Sequence, residues 1–150
     1  MRLILASTSP RRKELLTLLG VRFDIVAPPF VEQVAPNRSA EQQAVEFAVG
    51  KAKSCIELFP DALILGSDTL ISLGSEVLGK PADLADAESM LRRMAGQMHK
   101  IFTAVALAGS GTESCEVQVA EVSVTMKPLN EEALAAYLRT GDSLGKAGAY

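Results

Sequence analysis

A chain of 150 residues is long enough to bury one sizeable core and fits a single domain. Apolar residues make up 48% of it and charged residues 22%, a globular composition rather than a disordered one. The formal net charge of −3 argues against a nucleic-acid-polymer binder, so attraction for an anionic ligand must come from local clusters of Lys and Arg.

The chain opens on a short apolar strand, Leu3 to Ala6, which passes through Ser7-Thr8 into Ser9-Pro10. Ser suits an N-cap and Pro the first helical position, so a helix is expected there, carrying Leu15, Leu16, Leu18 and Leu19 inward and stopping at Gly20. Val21 to Ala27 reads as a second strand, ended by Pro28-Pro29. Ser39-Ala40-Glu41-Gln42 has the pattern of a capping box, and the long helix it opens carries an apolar stripe of Val45, Ala48, Val49, Ala52, Cys55, Ile56 and Phe59. Ala62 to Leu65 has the look of a central buried strand, and Leu70–Leu73 and Glu76–Leu78 flank Gly74-Ser75 as a hairpin. Asp83 is placed to cap a helix with Leu84, Ala87, Leu91 and Met94 inward, closing at Gly96. Strands over Ile101–Ala108 and Cys115–Met126 surround a turn at Gly109-Ser110-Gly111, and Asn130 opens a last helix ending at Gly141. The order βαβ-α-ββ-α-ββ-α implies an α/β domain with a mixed sheet.

No apolar run approaches the ~20 residues that span a bilayer, and the apolar start is cut at once by Pro10-Arg11-Arg12-Lys13, unlike a signal peptide. Cys55 and Cys115 fit neither a CxxC pattern nor a disulfide framework and read as reduced thiols. A cytoplasmic protein with no membrane partner is expected.

Chemistry concentrates at two junctions. At the first, Ser7, Thr8 and Ser9 supply hydroxyls and the helix N-terminus supplies free N–H donors. Arg11, Arg12 and Lys13 then occupy the first turn, where a cation opposes the macrodipole; such a turn suits a bound phosphate, although solvation alone accounts for a residue such as Lys13. At the second, Gly66-Ser67-Asp68-Thr69 lies just beyond an apolar strand, where Asp68 could bind a metal, take a proton from water, or simply serve a turn. Gly74 to Pro81 nearly matches GxxxxGK[ST], but Pro81 replaces the hydroxyl that would hold Mg2+, so it is a false P-loop; Lys80 either reaches phosphate or is an exposed loop lysine. Glu32 is a metal ligand or a surface carboxylate, and Lys51, beside the apolar stripe of the long helix, snorkels along the core or points into a cleft. The single histidine, His99, excludes a His-based zinc site and suits a structural hydrogen bond, and no serine has a triad to partner it. Carboxylates and cations without a nucleophile fit metal-assisted attack of water on a phosphoryl group.

Leu5-Ala6-Ser7-Thr8-Ser9-Pro10-Arg11-Arg12-Lys13-Glu14-Leu15-Leu16 resembles the N-terminal signature of the Maf family of nucleotide pyrophosphatases. Further blocks follow in family order: Glu32, Gly50-Lys51-Ala52-Lys53, Gly66-Ser67-Asp68-Thr69, Gly79-Lys80-Pro81, Met90-Leu91-Arg92-Arg93, Gly96 with His99, Thr103-Ala104-Val105, and Lys146-Ala147-Gly148-Ala149-Tyr150. The resemblance implies a mixed twisted sheet flanked by helices, in two lobes with a cleft, similar to the inosine triphosphate pyrophosphatases. It implies hydrolysis of a nucleoside triphosphate substrate between the α and β phosphates with Mg2+ or Mn2+, often by a homodimer. Carried over by position, Ser7, Arg12, Lys51 and Lys80 would hold the triphosphate, while Glu32 and Asp68 would engage the metal, with Asp68 the base for the attacking water. Arg11 and Thr69 stand where relatives acting on 7-methyl-GTP tend to carry an aromatic residue and Gln, so they point to the dTTP/UTP type as residues beside the substrate. The alternatives are the 7-methyl-GTP type and a non-catalytic nucleotide-binding regulator linked to cell division. The resemblance also implies one Maf-like domain over 1–150, without the strands and closing helix that family members carry after Tyr150.

Overall fold

The computed structural model describes residues 2–109 and 115–150. In chain order it contains β1 (Arg2–Ala6), α1 (Pro10–Leu18), β2 (Asp24–Val26), α2 (Ala40–Lys53), β3 (Ala62–Leu73), β4 (Glu76–Leu78), α3 (Leu84–Met94), β5 (Met98–Gly109), β6 (Glu116–Thr125), α4 (Glu131–Arg139) and a final 3-10 turn over Ala147–Ala149. The strands form one mixed sheet in the order β2-β1-β3-β5-β6, with β4 paired to β3. β1 runs parallel to both β2 and β3, while β3 and β4 are antiparallel. The expected α/β architecture and element order are therefore realised. The expected turn residues Ser110 and Gly111 lie outside the described residues.

Local signals set most of the boundaries. Ser39 and Gln42 close the capping box reciprocally, each backbone N–H donating to the other's side chain at 3.1 Å. The Asp83 carboxylate accepts from the Asp86 N–H at 2.8 Å, and the Asn130 side chain accepts from the Ala133 N–H at 2.7 Å. Leu73 pairs with Glu76 across Gly74-Ser75, and Gly74, at φ 59°, supplies the left-handed backbone that this two-residue turn needs.

Three expectations are corrected. Of the four leucines assigned to the inner face of α1, only Leu16 is buried; Leu15, Leu18 and Leu19 are 65%, 81% and 71% exposed. The inner face of this short helix runs instead through Arg12 and Leu16, four residues apart on one side. Leu84 is also exposed, and Met90 takes the inward place on α3. The strand expected to end at Leu65 continues to Leu73, so Gly66-Ser67-Asp68-Thr69 lies within β3 rather than in a loop beyond it. Apolar patterning sees only the continuous run Ala62–Leu65, whereas a polar residue inside a strand is tolerated when its side chain finds a buried partner.

The chain divides into two compact units: Met1–Gln33, Ala44–Asp68 and Thr103–Val119 form the first, and Val34–Gln43, Thr69–Phe102 and Ala120–Tyr150 the second. In the first, Ile4, Leu5 and Ile64 of the paired strands are fully buried, together with Ala48, Ala52 and Cys55. In the second, Ile71, Leu78, Ala87, Leu91, Met94 and Leu134 form a continuous apolar cluster. Each such Leu, Ile or Met contributes about 1.5–3 kcal/mol of burial free energy. Among the described residues no helix is long and apolar enough to cross a membrane.

Candidate active site

The first unit gathers five of the residues singled out from the sequence. At the end of β1 the Ser7 side chain is buried, and its Oγ accepts from the Ser9 N–H and from Arg12 Nη1, both at 3.2 Å. Ser9 occupies the N-cap position of α1 in extended backbone, but its own side chain makes no cap; the hydroxyl of Ser7 takes that amide instead. Arg12, in the first turn of the helix, extends to Asp68, with Nη2 3.6 Å from Oδ1. Arg11 and Lys13, on other faces of the turn, are exposed, and Arg11 lines a groove of about 370 Å³ with Glu14, Leu15 and Leu18. The structure thus brings Ser7 and Arg12 to Asp68 and leaves Arg11 apart from them.

Close approach of α2 to β3 sets the other half of the cluster. A Cβ at Gly66 would lie 2.2 Å from the Ala48 carbonyl oxygen and 2.7 Å from the Ala52 nitrogen, so only glycine lets the helix backbone rest on the strand. Lys51, on the same turn of α2, is 4% exposed, and Asp68, two residues beyond Gly66 on the same strand face, is 2% exposed. The ammonium of Lys51 donates to Asp68 Oδ1 and also lies 2.6 Å from Glu32 Oε1. Of the two expectations for Lys51, the structure excludes snorkelling: its ammonium is buried and turned to two carboxylates.

Glu32 reaches this place because Phe30 anchors its segment. The Phe30 ring packs on Phe47, centroids 6.1 Å apart, and lies over Gly50, where a Cβ would sit 2.2 Å from Cε2. Neither Gly50 nor Phe30 is a candidate by residue type; an isolated glycine inside a helical pattern, at the head of the Gly50-Lys51-Ala52-Lys53 block, is the signal that points to a packing demand there. Gly50→Ala is expected to displace the Phe30 ring and cost about 1–3 kcal/mol. Circular-dichroism melting reads that loss, and Phe30→Leu in the same background, by making room for the new methyl, recovers part of it.

Electrostatically the cluster sets two cations, Arg12 and Lys51, against two carboxylates, Glu32 and Asp68. Burial pushes the Asp68 carboxyl above the ordinary carboxylate value; Lys51 pulls it back by charge and hydrogen bond, Glu32 adds to the rise, and Arg12 opposes it. A group of this kind holds or releases a proton in response to small changes around it, which is the property expected of a general base. The two carboxylates already converge on one cation, the Lys51 ammonium. Among the described residues no group of three or more His, Cys, Asp and Glu is placed to hold a metal. A pair of hard oxygen donors, leaving the other ligand places to substrate oxygens and water, nevertheless fits the habit of Mg2+.

Thr69 and Lys80 belong to the second unit, Thr69 half-buried in β3 and Lys80 exposed between Gly79 and the buried Pro81. The stretch Gly74–Pro81 is a hairpin turn, a strand and a short connection to the Asp83 cap, not a phosphate-cradling loop that opens directly into a helix. The resemblance to a P-loop is accidental, as Pro81 indicates.

A family model described as Maf-like protein matches residues 2–150. The chain belongs to the Maf-like family. It is 44% identical over 149 residues to a dTTP/UTP pyrophosphatase of Symbiobacterium thermophilum, covering 99% of this chain and 75% of that protein. It is 47% identical over 150 residues to one of Salmonella typhimurium, with the same shares covered. To one of Bacillus velezensis it is 40% identical over 149 residues, covering 99% of this chain and 78% of the relative. The solved structure of the Staphylococcus aureus Ham1 protein matches with a TM-score of 0.56 at 12% identity, over 89% of this chain and 88% of that one, a likeness of fold alone. Membership of the Maf-like family extends over every block that carries the resemblance in the sequence, from Leu5 to Tyr150.

Proposed function

We propose that this chain is a nucleoside triphosphate pyrophosphatase, cleaving dTTP and UTP between the α and β phosphates to the monophosphate and pyrophosphate. The observation that carries the reading is Asp68, a carboxylate 2% exposed and held between Lys51 and Arg12 with Glu32 beside it. Membership of the Maf-like family, and relatives at 40–47% identity that bear the name dTTP/UTP pyrophosphatase, supply the substrate class.

In this reading Ser7, Arg12 and the free N–H groups at the start of α1 receive phosphate oxygens, and Lys51 offsets the charge that gathers there during bond cleavage. Glu32 and Asp68 would hold a divalent cation, Mg2+ or Mn2+, which when bound supplies charge neutralisation on the phosphate oxygens. Asp68 accepts a proton as water attacks the α-phosphorus; the bond from that phosphorus to the bridging oxygen breaks, and pyrophosphate leaves with the electron pair. No covalent enzyme intermediate is required. Lys80 is assigned a phosphate contact, and Arg11 and Thr69 a place beside the substrate, on the family positions they occupy.

The test is pyrophosphate release by the purified chain with Mg2+ or Mn2+ on dTTP, UTP, CTP, 7-methyl-GTP and ATP. The expected ranking puts dTTP and UTP first, each giving one monophosphate per pyrophosphate. Faster cleavage of 7-methyl-GTP overturns the substrate assignment, and orthophosphate as the product overturns the reaction class.

A further inference from the structure

The second unit contains a strained segment that the proposed chemistry does not use. Gly148 and Ala149 both sit in the left-handed region, at φ 64° and 65°. Glycine suits 148, where the backbone is left-handed and a Cβ would meet Ile71 Cδ1 at 2.4 Å and Met94 Cε at 3.2 Å, so that both side chains would have to give way. Ala149 has no such freedom: it is the one described non-glycine residue at positive φ, and it is completely buried. Backbone strain of this kind persists only where the surroundings impose it, and it collects where geometry serves function.

The surroundings impose it from three sides. The Gly148 N–H donates to the Gly79 carbonyl at 2.9 Å, immediately before Lys80. The Tyr137 hydroxyl, from α4, donates to the Ala149 carbonyl at 3.1 Å. The Tyr150 hydroxyl hydrogen-bonds His99 Nε2, and the two rings meet edge to face with centroids 5.5 Å apart. His99 is 1% exposed, so its partner is fixed by the fold rather than chosen from solvent.

We infer that the segment Lys146–Tyr150 is a clasp that sets the position of Lys80, with the His99–Tyr150 pair as its latch and the Gly148 amide as its grip on Gly79. On the other side of Lys80 the ring of Pro81 is buried, so the connection is held at both ends while the lysine side chain remains exposed. A long flexible lysine binds phosphate better when its backbone is already placed, because less freedom is lost on binding. His99 and Tyr150 are thus positioning residues acting through Lys80, an inference that rests on the reading of Lys80 as a phosphate ligand.

Tyr150→Phe removes the latch while keeping the ring, and two measurements on the 150-residue chain test it. Native-state exchange of the Gly148 amide is expected to quicken about tenfold or more, with shifted Lys80 resonances. In turnover, KM for dTTP is expected to rise about tenfold with kcat little changed, whereas in a Lys80→Ala background the same substitution changes KM less than about twofold. His99→Phe, cutting the latch from its other side, should repeat both results. Unchanged exchange of Gly148, or equal factors on KM in the two backgrounds, overturns the inference. A wild type that exchanges as expected but releases no pyrophosphate leaves the clasp standing and removes the pyrophosphatase reading instead.

Discussion

Asp68→Asn is expected to lower kcat for pyrophosphate release by about 10²–10⁴-fold while leaving the protein folded. The amide is nearly the same size as the carboxylate but cannot take a proton from water. The loss should appear in kcat, because the proton is transferred only as the bond to phosphorus forms. Folding survives because Lys51, although it loses one carboxylate, keeps Glu32 at 2.6 Å. Lys51→Met makes the necessary contrast. It also silences the enzyme, but leaves the buried Asp68 with only Arg12, at 3.6 Å, to offset its charge. Stranding one partner of a buried pair costs about 3–5 kcal/mol, so this variant should melt at a clearly lower temperature. Thermal melting and turnover measured together separate the two roles. Retention of more than about a tenth of wild-type kcat by Asp68→Asn would remove it as the base.

The second large effect is expected from Gly66→Ala, a change of one methyl group that carries no chemistry. The new Cβ would lie 2.2 Å from a backbone oxygen and 2.7 Å from a backbone nitrogen of α2, and neither can swing aside as a side chain can. The helix must move off the strand, at a cost of about 3 kcal/mol or more, which corresponds to a fall in melting temperature of roughly 6–12 °C. Lys51 is carried on that helix, so its ammonium leaves Asp68 and turnover falls even where the protein is still folded. Gly79→Ala is the control, since the nearest atom to its added Cβ is 4.0 Å away; it should stay within about 0.5 kcal/mol of wild type. Equal melting temperatures for the two variants would show that the α2–β3 approach does not depend on Gly66.

Gly66 and Asp68, the carboxylate proposed as the base, stand two residues apart in one strand, and the sequence displays them differently. Asp68 stands out as a candidate because a carboxylate beside an apolar run is conspicuous; Glu32 and Lys51 are weaker candidates by their place in an irregular stretch and beside an apolar helix stripe, which the family blocks reinforce. That all three share one network with Arg12 and Ser7, buried at Ser7, Lys51 and Asp68 and open to solvent at Glu32, is not legible in the sequence. Those residues are spread from position 7 to position 68, and nothing in local patterning encodes a contact across such distances.

What the sequence alone determined is what neighbouring residues settle among themselves. The Ser39–Gln42 capping box, the Asp83 and Asn130 caps and the Gly74-Ser75 hairpin turn all formed where their residues stand, because each closes hydrogen bonds within a few positions. These signals also gave the order of strands and helices, hence the α/β class. Tertiary structure decided which faces were used. Leu15, Leu18 and Leu19 look like core residues by composition, yet α1 turns Arg12 and Leu16 inward, since burial depends on what a face meets rather than on how apolar it is. Gly66 to Thr69 reads as a loop by polarity, yet β3 runs through it, because Asp68 finds Lys51 once α2 packs on Gly66. A buried charge is legible only together with its partner, and here that partner comes from another part of the chain.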